Sequence, residues 1–592
     1  MSKVLGIAAF YHDSSACLIE NGKIKSAVQE ERFSRIKHDQ GFPTQSIKFI
    51  LDENNLSAKE IDHVVFYEKP FLKFERLLET YIENAPKGFH SFRKAMPLWI
   101  KEKLYQKQFL LKNLQDVSSQ FQGKEILFSE HHLSHAASAY YPSPFNNALI
   151  LTIDGVGEWA TTSVALGNEN NIDLLKEIHY PHSLGLLYSS FTYYLGFKVN
   201  GGEYKVMGLA PYGEPKYKGL ILEKLIEIKE DGSFGLNQDF FNYSTGLTMV
   251  NEKFCNLFSK QIRKPESELL QFHMDIAASI QSVTEEALLK MIGVLSKEYD
   301  TENLCLAGGV ALNCVANSKI KDLGAFKNIW VQPAAGDAGG SLGAALATWH
   351  IHLDKPLQKK QDDLMRGSYL GPAFDTNYVK NFLEKEGINF SSYDEKELIA
   401  ESAKLLSEGN AIAWFQGRME YGPRALGSRS ILADPRSNEM QENLNLKVKF
   451  RESFRPFAPS ILEEDLSDWF DTKSPSPYML FVAQVQENKL LQVSDEDKRI
   501  NGLDQLKIHR SEIPAVTHID GSARVQTVNG NHNKKYYELI REFKRLTGCP
   551  MLVNTSFNVR GEPIVCTPHD AYMCFKSTNL DYLVMDNFII TK

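Results

Sequence analysis

Short apolar runs that end in glycine turns recur along this chain, and several deliver a polar residue at the turn. Lys3 to Ala9 reads as a buried strand, followed by the polar turn Tyr11-His12-Asp13-Ser14-Ser15. Ala16 to Glu20 and Lys23 to Ala27 then form a hairpin across Asn21-Gly22, the strongest two-residue hairpin signal. Val64 to Tyr67 is a further strand. Ala148 to Ile153 runs into Asp154-Gly155-Val156-Gly157, with Thr161 to Leu166 as its partner strand. Two strand–turn–strand units imply an internally duplicated α/β domain. Asn303 to Ala307 enters Gly308-Gly309-Val310-Ala311-Leu312-Asn313, a strand, glycine turn and helix that let backbone approach a nucleotide closely.

Helical periodicity marks 269–296, with apolar residues from Met274 to Ile292 on one stripe, and also Leu104 to Leu114 and Ala338 to Trp349. Ser57-Ala58-Lys59-Glu60 is a capping box. The mixed aromatic and basic stretch 84–122 has no assigned role beyond covering one side of a substrate site. Gly201 to Gly213 reads as a glycine-punctuated loop, with Glu203 and Lys205 as candidate contacts to a polar acceptor. Leu353 to Arg366, charged and containing Pro356, reads as a linker. Glu395 to Glu408 is a helix closed by Gly409, and Ala411 to Phe415 a strand. The charged run Gln29 to His38 reads as a solvated face.

Size and composition narrow the function. At 592 residues two or three domains are expected. A formal charge of −8 argues against a nucleic-acid partner, which calls for a basic surface. Seven scattered Cys, with no Cys-x-x-Cys pair, look like reduced thiols. No apolar run approaches the roughly 20 residues that span a bilayer, and no signal peptide is read at the start, so a cytoplasmic location is expected.

Two sets of residues carry candidate chemistry. His131 and His135 are four apart, so on a helix both imidazoles leave one face. Two such imidazoles with Asp154 and Asp337, each at a small-residue turn, make a plausible site for a divalent metal with positions left for a ligand. His12, at a turn suited to phosphate, is a candidate general base. The second half is rich in arginine among Gly, Pro and Ser: Gln416 to Ser430, Lys447 to Ser460, Asp520 to Arg524 and Asn554 to Gly561. Such forks suit several anionic groups, and in an acidic protein they point to a small polyanion.

Together these motifs resemble the family of O-carbamoyltransferases that includes the nodulation-factor and cephamycin enzymes and the aminoglycoside carbamoyltransferase of the tobramycin pathway. The resemblance covers nearly the whole chain. Its carriers are Gly6 to Ala16, Gln29-Glu30-Glu31-Arg32-Phe33-Ser34, the His131/His135 helix, Asp154 to Gly157, Lys205 to Pro211, Gly308 to Asn313 and Gly336 to Gly339. In the second half they are Tyr421 to Gly427, Phe454 to Pro459 and Asn554 to Asn558.

The resemblance implies an α/β fold in two parts: a duplicated actin/hexokinase/Hsp70-like domain over 1–352, and a threonylcarbamoyl-adenylate-synthase-like domain over 395–592. Residues 353–394 are the linker and the start of the second domain. It implies that carbamoyl phosphate and ATP give carbamoyl-AMP, whose carbamoyl group passes to the hydroxyl of a small natural-product or sugar acceptor. It implies Fe²⁺ or another divalent metal on His131, His135, Asp154 and Asp337, and Mg²⁺ with ATP. His12 would deprotonate the acceptor. Arg424, Lys449, Arg455, Arg524 and Arg560 would hold carbamoyl phosphate or ATP, with Arg451 an alternative to Arg455, and Gly308, Gly309 and Asn313 would line the nucleotide. A homodimer is an open expectation; nucleic acid and membrane are not expected partners. A small-molecule kinase of the same N-terminal superfold is the alternative, and a tRNA-binding protein or a non-catalytic nucleotide-binding subunit the more distant ones.

Overall fold

The computed structural model describes residues 2–99, 104–357 and 362–592. Parts of the expected linker (358–361) and of the 84–122 stretch (100–103) lie outside the described residues. The chain divides into two compact units. The first comprises Met1–Glu30 and His38–Leu364; the second comprises Glu31–Lys37 and Met365–Lys592.

The first unit holds two five-stranded sheets. Lys3–Ala8 (β1), Ser15–Glu20 (β2), Lys23–Gln29 (β3), His63–Phe66 (β4) and Ile126–Phe128 (β5) form one, in the order β3-β2-β1-β4-β5. Asn21 and Gly22 both take positive φ, 50° and 79°, the primed turn that Asn-Gly favours. Asn147–Ile153 (β6), Ala160–Asn168 (β7) and Asn171–His179 (β8) begin the other. A separate small hairpin, Ile226–Ile228 (β9) with Phe234–Leu236 (β10), precedes Asn303–Ala307 (β11) and Asn328–Val331 (β12), which complete it in the order β12-β11-β6-β7-β8. In each sheet the first strand pairs antiparallel with the second and parallel with the fourth. The two sheets therefore repeat one topology, which is the expected duplication.

The helix Ala338–Ala347 is buried along its whole length and packs against the helix His131–Tyr140 and against β1. Ser15 Oγ donates to Ala338 O, binding β2 to the start of that helix. The second unit is built on one mixed eight-stranded sheet with a continuous apolar core from Val379 to Ile590. It is an α/β unit. All seven cysteines are buried and unpaired. Among the described residues no helix is long and apolar enough to cross a membrane.

One expectation is corrected. The run Gln29 to His38 is not a solvated face. Glu30, Glu31 and Arg32 are buried. Glu30 accepts from Gln45 N and from Ser46 N and Oγ, satisfying the N-terminal end of the helix Thr44–Glu53 within the first unit. Arg32 pairs with Glu31 at 2.9 Å and donates to Gly422 O within the second unit. The run is charged because it makes buried pairs in both units. Where the sequence expects a boundary at residue 352, the first unit continues to Leu364 and gives up Glu31–Lys37.

Candidate metal centre and anion site

His131 opens its helix directly after β5, with Glu130 at the N-cap. The Glu158 carboxylate accepts the His131 N–H through both oxygens, at 2.9 and 3.0 Å, and the Lys69 N–H at 2.7 Å. It answers the free donors and positive end of that helix. One turn on, His135 Nε2 lies 3.1 Å from His131 Nε2.

Asp154 ends β6 and places Oδ2 at 3.2 Å from His131 Nε2 and 3.8 Å from His135 Nε2. Asp337, preceding the Ala338–Ala347 helix, places Oδ1 at 3.7 and 3.6 Å from the same nitrogens. One ligand atom from each of the four residues lies within 4.8 Å of the others. The sequence had proposed these four residues from three separate segments, and the structure brings all four together.

The residues fit a cation. Two imidazole nitrogens that face each other at 3.1 Å cannot both carry a proton. Both carboxylates point into a space where His131 and Asp337 are 1% exposed. No Lys or Arg pairs with either carboxylate among the described residues, and Asp337 Oδ2 is buried without a hydrogen-bond partner. A divalent ion answers two negative charges and two neutral imidazoles at once. Without one, burial pulls the His131 pKa down but Asp154 and Asp337 outweigh it, to about 9. His132, between the pair in sequence, bonds Ser163 Oγ instead, and burial holds it neutral.

His12 Nε2 is 3.7 Å from Asp337 Oδ2, so the candidate base faces the centre. Its Nδ1 donates to Asp13 Oδ2 at 3.1 Å, and the other Asp13 oxygen accepts from His38 Nδ1 at 2.8 Å. Burial lowers the His12 pKa, but Asp337 and Asp13 carry it up to about 10. Gly308, with φ of 87°, turns the chain so that Gly309 N donates to the second Asp154 oxygen at 3.1 Å. Asn313 Oδ1 accepts from Ala316 N, and its amide exchanges hydrogen bonds with Gln281.

Gly201 to Gly213 is not a loop throughout. Glu203–Leu209 is a helix, and the Glu203 carboxylate accepts the N–H groups of Asn200, Gly201 and Gly202 and the hydroxyl of Ser189. Its oxygens hold the turn that leads into the helix. Lys205 Nζ lies 5.3 Å from the centre of the Phe197 ring.

In the second unit Lys449 is 3% exposed. Its ammonium donates to Ser556 O, Asn558 O and Asn558 Oδ1 at 2.6, 2.8 and 2.7 Å. Burial, then the positive charges of Arg451, Arg455 and Lys37, holds its pKa well below the usual range. Glu452 is the common neighbour of Arg455 (3.9 Å) and Arg560 (3.7 Å). Arg451 donates to Asn445 Oδ1 and lies over the Phe457 ring. So Lys449, Arg455 and Arg560 come together, with Arg451 tied to the protein. Arg424 and Arg524 stand on two further segments of the unit, the 416–428 loop and the strand Ser522–Arg524. Arg429, in the same arginine-rich motif, is structural: it is fully buried, donates to the carbonyls of Gln416, Gly417, Ser428 and Pro372, and lies 3.7 Å from the Phe415 ring centre.

Comparison with known families decides the class. Residues 3–346 match the family described as Carbamoyltransferase N-terminus, and residues 403–592 match Carbamoyltransferase C-terminus. The chain belongs to the carbamoyltransferase family. An uncharacterized protein of Synechocystis sp. is 56% identical, covering 100% of this chain and 97% of the relative. Nodulation protein NolNO of Sinorhizobium fredii is 36% identical over 98% of this chain and 79% of its own. Among solved structures, component A of (R)-2-hydroxyglutaryl-CoA dehydratase from Acidaminococcus fermentans is 15% identical, covers 59% of this chain and 98% of its own, and has a TM-score of 0.32. HypF of T. kodakarensis is 12% identical over 60% of this chain and 48% of its own, with a TM-score of 0.29. Scores this low carry no argument.

This carbamoyltransferase also uses residues that the sequence did not single out. Asp13 holds His12 and His38 together, and its place beside His12 was the only local sign of it. Glu158 caps the His131 helix from 27 residues away. Lys37 joins the Lys449 group from the charged run. Only the fold could have revealed the last two.

Proposed function

We propose that the protein is an ATP-dependent O-carbamoyltransferase working in two steps. In the first, carbamoyl phosphate is hydrolysed to carbamate and phosphate, and a carbamate oxygen attacks the α-phosphorus of MgATP. That bond forms as pyrophosphate leaves, giving carbamoyl-AMP. In the second, an acceptor hydroxyl oxygen attacks the carbamoyl carbon, AMP leaves, and the hydroxyl proton passes to His12 Nε2. The acceptor is a small hydroxyl compound.

One observation carries this reading: a carbamoyltransferase chain holds a buried two-His, two-Asp cluster with a histidine turned toward it. His131, His135, Asp154 and Asp337 would hold a divalent ion, Fe²⁺ in this reading, and such an ion would supply polarisation of the carbamoyl group and positive charge for the departing phosphate. Asp337 is the largest charge raising the His12 pKa, and a cation held there would offset it; Asp13 keeps the proton on His12 Nδ1, so that Nε2 would then be left to accept. Gly309 N–H holds one Asp154 oxygen so that the other stays directed at the cluster. Lys449 shapes the 556–558 turn, and Arg455 and Arg560 offer forks to phosphate. Arg424 and Arg524 are assigned to the same donor chemistry.

The test is pyrophosphate release from MgATP with and without carbamoyl phosphate, no acceptor added. Release that requires carbamoyl phosphate is expected. ADP in its place would turn the assignment to a kinase.

A further inference from the structure

The helix Pro70–Glu83 buries two cations while two of its apolar residues face outward. Lys73, Arg76 and Thr80, spaced to share one face, are buried, at 7%, 5% and 8% exposure. Phe71 and Ile82 point outward, at 66% and 64%. A helix that merely packed would bury its apolar residues. This one turns two cations inward.

Both cations face the metal centre's surroundings. Lys73 Nζ pairs with Glu68 Oε2 at 2.6 Å, and that oxygen is 4.0 Å from His131 Nδ1. The same ammonium lies 4.8 Å from the centre of the Tyr11 ring, which packs on His12. Arg76 follows one turn later; burial lowers its pKa, and the carboxylates of Glu68 and Glu158 are the charged groups that oppose this.

Lys73 has its carboxylate; Arg76 does not. Glu68 is taken by Lys73, and Glu158 by two backbone N–H groups. Among the described residues no carboxylate pairs with the Arg76 guanidinium, and its Nε is buried without an acceptor. Its one direct partner is the Tyr180 ring, 4.9 Å away. Stacking on one ring returns only part of what dehydrating a guanidinium costs. Buried charges are otherwise paired or hydrogen-bonded, and an anion from outside the chain would supply the partner that this guanidinium lacks among the described residues.

We infer that Arg76 is a ligand-binding residue, which receives a carboxylate or phosphate group of the molecule seated at the metal centre. The inference rests on reading that centre as the transfer site. Two molecules meet there, so the anion belongs either to the acceptor, making it a hydroxy acid or a phosphate ester, or to the adenylate.

The test uses the full chain, as wild type, Arg76→Gln and Arg76→Lys. Melting is followed without ligand, and binding of glycerol 3-phosphate, D-glycerate, AMP and neutral glycerol is measured by calorimetric titration. Without ligand, Arg76→Gln should melt at or above wild type, because it removes an uncompensated buried charge. Wild type should bind an anion and not glycerol, and Arg76→Gln should weaken that binding at least tenfold, with Arg76→Lys in between. Loss confined to glycerol 3-phosphate or glycerate gives the anion to the acceptor; loss confined to AMP gives it to the nucleotide. Equal binding by wild type and Arg76→Gln, no anion binding by wild type, or a lower melting point for both ligand-free variants overturns the inference. Pyrophosphate release by wild type is scored separately, so failure of the two-step reading is not confused with failure of this one.

Discussion

Gly343→Ala should empty the metal centre without touching a ligand. Gly343 lies mid-way along the Ala338–Ala347 helix, where a Cβ would stand 1.6 Å from Ser134 O and 2.9 Å from Ser138 N. Those are backbone atoms of the helix that carries His131 and His135. Ordinary contact begins at 3.4 Å, so the helices must part by 1.8 Å at this point. Retreat is blocked behind, because β1 passes so close that a Cβ at Gly6 would come within 1.9 Å of Ser341 O. Asp337 starts one helix and the His pair sits on the other, while metal sites tolerate shifts of about 0.2 Å. Overpacking of this kind costs about 3 kcal/mol. For a unit of roughly 350 residues, at about 2.1 cal/mol/K per residue, melting should fall by about 4 °C. The assay is metal content by mass spectrometry on purified protein, with calorimetry beside it. Gly293→Ala is the control: it lies in the helix Gln271–Glu298 with nothing within 4 Å of an added Cβ, so it should stabilise by about 0.5–1 kcal/mol. A Gly343→Ala protein with wild-type metal content and melting point would refute the argument.

Three more outcomes are expected. Asp337→Asn should lose most of its bound metal by elemental analysis while the protein stays folded, since it removes one of two charges at the cluster. Lys449→Met should cost about 2–5 kcal/mol in denaturant melts and abolish carbamoyl-phosphate-dependent pyrophosphate release, because three carbonyl oxygens lose a buried donor. His273 accepts the Leu270 N–H at Nδ1, and burial, then Arg263 and Lys260, holds its pKa near 4. The unfolded chain therefore takes up a proton first, so this residue's contribution falls as pH drops from 6.5 toward 4. Melting curves of His273→Gln, whose amide can still accept, should show a shallower decline over that range.

What the sequence revealed and what it hid follow from distance along the chain. The Asn21-Gly22 hairpin, the strand before Asp154 and the His131/His135 spacing are local patterns, and each was legible. The meeting of Asp337 with the His pair was inferred from turn chemistry at strand ends. Arginines misled more. Arg429 and Arg451 stand in motifs that suggest phosphate, yet backbone carbonyls hold the first and Asn445 with Phe457 the second. Glu203, read as a candidate ligand contact, accepts the N–H groups of Asn200, Gly201 and Gly202, which the sequence did not signal. The inward turn of Lys73 and Arg76 was hidden because the Pro70–Glu83 helix has apolar residues enough to pack the other way.

The seven residues from Glu31 to Lys37 affect how the protein must be made. They are translated near the start, yet they belong to the unit that is finished last. Arg35 donates to the carbonyls of Pro563 and Ile564, and Phe33 packs with Met419 and Ile564. At about 5–20 residues per second, the ribosome needs roughly 25 to 105 seconds to supply those partners. Throughout that time a buried-type aromatic and two arginines wait without those partners, first while the first unit is itself being made up to Leu364 and then beside it when it is complete. A gene cut near residue 365 would leave them waiting permanently, and a second unit expressed alone would lack the segment that closes its core around Met419. Dividing this enzyme therefore requires moving residues 31–37 with the C-terminal half.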